Sequence, residues 1–174
     1  MPLAGVYRIT PEQIRDVRGF FARTWCQREF AAHGLTPRLT QCSISYNRGA
    51  GTLRGLHYQV APHGEAKLVR CTAGAIYDVA VDLRPASPTF CRHLAVALSA
   101  ANRAMLYIPE GLAHGFQTLV DDTEVFYQMS EFHMPAFARG VRYDDPTFGI
   151  EWPIADPIVL ERDAAYPDFE PAPA

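Results

Sequence analysis

A chain of 174 residues, 48% hydrophobic and 20% charged, can bury one ordinary core, and this composition excludes an unfolded polymer. No apolar run reaches the ~20 residues that cross a bilayer, and the opening MPLAGVYRITPEQ lacks the charged-then-apolar pattern of a secretory leader. A net charge of −3 argues against nucleic acid as the main partner, so any phosphate must be held by a few placed arginines and lysines. The expectation is a cytoplasmic protein that partners neither nucleic acid nor membrane. Cys26, Cys42, Cys71 and Cys91 form no CxxC pair or zinc-like group, and they read as buried free thiols.

Along the chain, Thr10-Pro-Glu-Gln predicts a short helix capped by Thr10, and Glu29 to His33, ending at Gly34, predicts another. The middle reads as strands. Residues 67–72 and 75–83 are β-rich runs split by Gly74, and 93–98, 105–108, 115–119 and 124–129 follow with polar turns between them. Many short strands at close spacing indicate an all-β sandwich or barrel with a few short helices. No internal linker is visible, so residues 1–174 read as one domain, with the tail from about 167 poorly ordered. Taking Asp121-Asp122 as a two-residue hairpin turn pairs Val120 with Thr123 and Phe116 with Tyr127. His114 then shares a face with Tyr127.

Two motifs resemble the cupin superfamily of double-stranded β-helices. Pro109-Glu-Gly-Leu-Ala-His114 is similar to its PxGxxH motif, and Gly51 followed by His57 fits the opening Gx5H. Metal-binding cupins continue HxH, whereas this chain has Gln59, and Glu65 falls later than the usual glutamate. His57, His63, Glu65 and His114 make an incomplete ligand set, so neither metal nor cofactor is expected. Arg54 and His57 are three apart and point to opposite faces of a regular strand. Both serve one pocket only if Gly55 sits in a bulge or Arg54 lies on the entering loop.

The chain also resembles one family closely. Asp16-x-Arg18-Gly-Phe-Phe, Leu53-Arg-Gly-Leu-His-Tyr-Gln59, Lys67-Leu-Val, Asp78-Val-Ala-Val-Asp-Leu-Arg84, Ile108-Pro-Glu-Gly-Leu-Ala-His-Gly-Phe116 and Asp144-Asp-Pro-x-Phe-Gly-Ile-Glu-Trp-Pro153 occur in the order found in dTDP-4-dehydrorhamnose 3,5-epimerases. The resemblance implies a homodimeric cupin-type jelly roll that epimerises a nucleotide-linked 4-keto-6-deoxy sugar without metal. By the same likeness His57 is the base, Tyr127 the acid on the other face, Asp163 the carboxylate that orients His57, and Lys67 the cation near the keto oxygen. Arg18, Arg54 and His114 match substrate-holding positions. Arg23 stands where the family usually has glutamate, Phe132 or His133 falls near its base-stacking aromatic, and Ala138 replaces a later glutamate. Gln59, in the central motif, joins the expected substrate contacts.

These roles suit the chemistry. A ketone acidifies the hydrogens on both neighbouring carbons, and histidine has the pKa to remove one near neutrality. An ammonium stabilises the enolate oxygen, and inversion needs a proton from the opposite face. Asp78 and Asp82 share a strand face, where they either support the pocket or end a strand. Phe20, Phe21 and Trp25 read as core or dimer-interface packing, and residues 20–25 would suit a strand exchanged between subunits. Two other readings compete: a metal-dependent cupin isomerase or dioxygenase, and a non-catalytic sugar-nucleotide-binding cupin.

Overall fold

Strands whose two faces are both covered read as continuous apolar runs, and strands with one wet face alternate. Both kinds occur in the computed structural model, which describes residues 2–171. One five-stranded antiparallel sheet has the order β1 (Tyr7–Ile9), β9 (Met105–Ile108), β6 (Lys67–Ala73), β11 (Thr123–Met129), β4 (Gln41–Asn47). The second, also five-stranded, runs β12 (Ala138–Gly140), β5 (Leu53–Gln59), β10 (Leu112–Thr118), β7 (Ala75–Asp82), β8 (His93–Ser99). The two sheets face each other in the expected all-β, cupin-type jelly roll. Between them Val69, Ile76, Leu98, Leu106, Phe116 and Val125 form the main core.

Strand β10 is buried at every residue because its outer face is covered as well. There Leu56, Val79, Val81 and Ala113 pack under Val141, Phe148 and Trp152. A third cluster on the outside of the first sheet joins Phe30 of helix α1 (Gln27–Ala32) to Leu68, Met105 and Tyr107. A separate hairpin, β2 (Ile14–Asp16) with β3 (Gly19–Phe21), leaves Ile14, Phe20 and Phe21 exposed, so these phenylalanines are not core. Trp25 is half-buried against Phe30.

Several expectations are corrected. Residues 10–13 form no helix. A cap and a proline do not offset the cost of a helical nucleus without an apolar face to dock. The hairpin across Asp121-Asp122 does not exist: β10 pairs with β5 and β7, and β11 pairs with β4 and β6. The intervening residues carry the chain from one sheet to the other. His114 and Tyr127 nevertheless meet, with ring centroids 6.1 Å apart across the interlayer space. All four cysteines are free, but only Cys71 is buried and Cys42 is exposed. In the described part of the tail the Phe169 ring lies 5.3 Å from Phe148, and its amide donates to Asp145. Residues 172–174 lie outside the described residues.

One glycine sets the register on which the site depends. On β10 the partners step from His114 to Phe116 while on β5 they step from His57 to Arg54, so β5 carries one extra residue. Gly55, at φ 129°, occupies that bulge, and a Cβ there would stand 2.6 Å from Gly115 Cα. Gly55→Ala is expected to cost on the order of 3 kcal/mol, from a strained backbone plus overpacking, read as a lowered urea midpoint.

Candidate active site

The Gly55 bulge turns both Arg54 and His57 toward the space between the sheets, as their odd spacing required. There they line a cavity of about 340 Å³. His57, His114 and Phe116 enter it from the second sheet; Lys67, Tyr127 and Met129 enter from the first. Leu160, Arg162 and Asp163 close one side from helix α2 (Glu161–Ala164) and the residue before it. The imidazole and the phenol therefore come from opposite walls of one cavity.

His57 Nε2 lies 2.9 Å from Asp163 Oδ1. This bond places a proton on that nitrogen and leaves the other ring nitrogen as an acceptor. Burial lowers the His57 pKa, and it outweighs the opposing pull of Asp163. Burial also pushes the Asp163 carboxyl up, but hydrogen bonds from His57, Arg162 and the Gly55 amide hold it below the usual carboxylate range. Tyr127 is pushed well above an ordinary phenol, chiefly by burial, with the Ser45 hydroxyl and Arg54 opposing the shift. It is protonated throughout the neutral range.

Lys67 is buried, with Nζ 3.0 Å from Glu65 Oε1 and donating to the His57 carbonyl at 3.2 Å. An ammonium has three N–H donors, so one remains for a ligand. His114 Nε2 contacts Asp78 Oδ1 at 2.8 Å, both groups buried. Asp82 instead gathers Arg84, Ser87 and Thr89 at the end of its strand. The two aspartates thus divide the alternatives: Asp78 supports the pocket and Asp82 finishes β7.

Of the expected site residues, His57, Lys67, Tyr127, Asp163, Arg54, His114 and His133 line the cavity. Phe132 is exposed and lies outside it. Arg18 pairs with Asp16 beside the β2–β3 turn, and Arg23 pairs with Glu29, both outside this cavity of the single chain. Gln59 is corrected as a substrate contact. Its Nε2 donates to the carbonyls of His63 at 2.9 Å and Phe132 at 3.1 Å, and its Oε1 accepts from the Met134 amide at 2.6 Å. Every polar atom of the side chain is engaged with backbone, so Gln59 holds the loop that carries His133. Gln59→Leu is expected to raise KM roughly tenfold with a smaller change in kcat, since it frees that loop and leaves buried backbone groups unpaired.

Sequence reasoning missed Gln41, Ser43 and Arg162, and weighed Glu65 only as a metal ligand. Residues 41–47 alternate strictly, with Cys42, Ile44 and Tyr46 apolar and Gln41, Ser43, Ser45 and Asn47 polar, so the period-2 signal of strand β4 was present and was overlooked. The odd positions Gln41 and Ser43 could have been placed in the cavity had the strand been recognised. Among the described residues, no three His, Cys, Asp or Glu side chains are grouped to hold a metal ion. His57 and His114 each spend a ring nitrogen on an aspartate.

A family model described as dTDP-4-dehydrorhamnose 3,5-epimerase matches residues 1–171. A relative from Sinorhizobium fredii of that name is 39% identical over 170 residues, covering 97% of this chain and 87% of its own. Among solved structures, the dTDP-4-dehydrorhamnose 3,5-epimerase of Bacillus anthracis with TDP and PPi bound superposes with a TM-score of 0.93 at 38% identity, covering 97% of both chains. The dTDP-6-deoxy-D-glucose-3,5-epimerase of Legionella pneumophila in complex with dTDP-4-keto-L-rhamnose gives 0.89 at 34% identity, covering 95% of this chain and 88% of that one. Sequence and three-dimensional likeness agree over nearly the full length, and the chain belongs to the dTDP-4-dehydrorhamnose 3,5-epimerase family.

Proposed function

We propose that this protein inverts the carbons beside the ketone of a dTDP-linked 4-keto-6-deoxyhexose by proton transfer between His57 and Tyr127. The observation that carries this is their placement on opposite walls of one cavity. His57 takes the proton from the carbon, the C–H electron pair moves into the ring, and negative charge collects on the C4 oxygen. The free N–H of Lys67 stabilises that oxyanion. Tyr127 then gives its phenolic proton to the same carbon from the other side. Solvent resets the pair by taking the proton from His57 and returning one to the phenolate. Asp163 favours the imidazolium formed midway. Arg54 and Arg162 supply charge for the diphosphate, and Gln41, Ser43 and His133 stand by for the nucleoside.

Incubation with dTDP-4-keto-6-deoxyglucose in deuterium oxide tests this reading. Deuterium at C3, C5 or both, together with inverted product, is expected. An unchanged sugar without label would refute it.

The working unit in this reading is a cytoplasmic homodimer. Four free thiols suit a reducing compartment. No helix among the described residues is long and apolar enough to cross a membrane. The exposed Ile14, Phe20 and Phe21 of the hairpin, and Ile44 and Tyr46 of the edge strand β4, are the apolar surface a second copy would cover. The hairpin of one copy would then bring Arg18 and Arg23 to the cavity of the other. Mixing two inactive variants, Arg18→Ala and His57→Asn, is expected to restore roughly a quarter of the wild-type sites through mixed dimers. No recovery after subunit exchange would place Arg18 outside the partner's site.

A further inference from the structure

Asp163 sits on a four-residue helix with no side-chain cap, too short to hold a carboxylate in place by itself. The chain on both sides of that helix is anchored. Upstream, the Ile158 amide donates to the Gly51 carbonyl at 3.0 Å, and the Leu53 amide donates to the Ile158 carbonyl at 2.9 Å. Downstream, Arg142 pairs with Asp168 at 2.6 Å, and the Phe169 amide donates to Asp145. Between these anchors the Tyr166 ring packs against Gly140, where a Cβ would stand 2.2 Å from the ring. Gly140 is the strand partner of His57, and the Tyr166 ring meets the His57 imidazole edge-on at 6.5 Å. One aromatic ring thus touches the base and lies three residues beyond the carboxylate that orients it.

We propose that Tyr166, seated on Gly140, is a positioning residue that holds Asp163 against His57. The inference rests on the reading of His57 as the base. The charged and titratable groups facing His57 are Asp163 and Arg162 on α2, Tyr166 beyond it, Lys67 with its partner Glu65, Tyr127 on the opposite wall, His114 across the strand pair, His133 of the cavity rim, and Arg54 on its own strand. Among the described residues, only Asp163 bonds the ring. Releasing it leaves burial of His57 less opposed, so the imidazole should titrate at lower pH.

The test follows the His57 ring by nitrogen NMR through a pH titration, which needs no substrate, alongside kcat and KM. Tyr166→Ala and Gly140→Ala disturb the seat in opposite ways, one by emptying it and one by filling it. Both are expected to move the His57 midpoint down and to lower kcat about tenfold with KM little changed. Tyr166→Phe should match the wild type, and adding Tyr166→Ala to Asp163→Asn should change neither quantity further. If Tyr166→Ala fails to fold, Gly140→Ala and the Tyr166→Leu variant carry the same comparison. A wild-type His57 midpoint in the folded variants would overturn the proposal, as would an equal further loss on the Asp163→Asn background. If the wild-type protein inverts no ketosugar, the proposed function falls, while the NMR result still decides whether Tyr166 governs the Asp163–His57 contact.

Discussion

His57→Asn is expected to abolish inversion and solvent exchange together, lowering kcat by on the order of 10³-fold while the variant still binds dTDP. General-base catalysis by a placed histidine contributes about 10²–10⁴-fold, and neither carboxylate beside His57 can replace it. Glu65 is engaged by Lys67, and Asp163 is held below the usual carboxylate range, which makes it a poor base. The pH profile carries a sign. Because burial lowers the His57 pKa below its ordinary 6.5, the base stays neutral to a lower pH than a free imidazole. The acid limb of kcat/KM is therefore expected below that value, with activity lost as pH falls through the lowered pKa. Asp163→Asn removes the opposing charge and should carry the limb lower still while reducing kcat. Initial rates measured across pH check both statements, and an acid limb above 6.5 in the wild type would contradict them.

Tyr127→Phe separates the two halves of the reaction. Removing the phenolic proton leaves His57 able to deprotonate the sugar and to return a solvent-derived proton on the same face. Deuterium should still enter the substrate, but without inversion, and the inversion rate should drop by about 10²-fold or more. Burial keeps the wild-type phenol protonated at neutral pH, so the donor is present whenever the base is competent. NMR of the recovered sugar gives label and configuration in one experiment. Equal loss of exchange and inversion would mean that Tyr127 shapes the cavity and does not donate.

The strands between residues 67 and 129 were legible because their apolar runs are bounded by turn residues and both faces of several are covered. Their partners were not. The short connection at 121–122 looks like a hairpin turn, and only the third dimension shows that it changes sheets. The conclusion drawn from that false register, His114 near Tyr127, holds because the two sheets face each other. The pairing of Arg54 with His57 was legible as a condition, a bulge at Gly55, since a glycine at odd spacing admits few other solutions. Asp163 was visible only through resemblance to a family: it lies 106 residues from His57, on a short helix without a capping signature. Gln59 was misassigned because a motif records that a residue is needed without saying which atoms it engages.

A crystal structure of His57→Asn with dTDP-4-keto-6-deoxyglucose bound probes the whole account most directly. The pyranose should lie between residues 57 and 127, with its C4 oxygen toward Lys67 and the two side chains approaching the same ring carbons from opposite sides. A sugar bound with both residues on one face, or seated outside this cavity, would contradict the account.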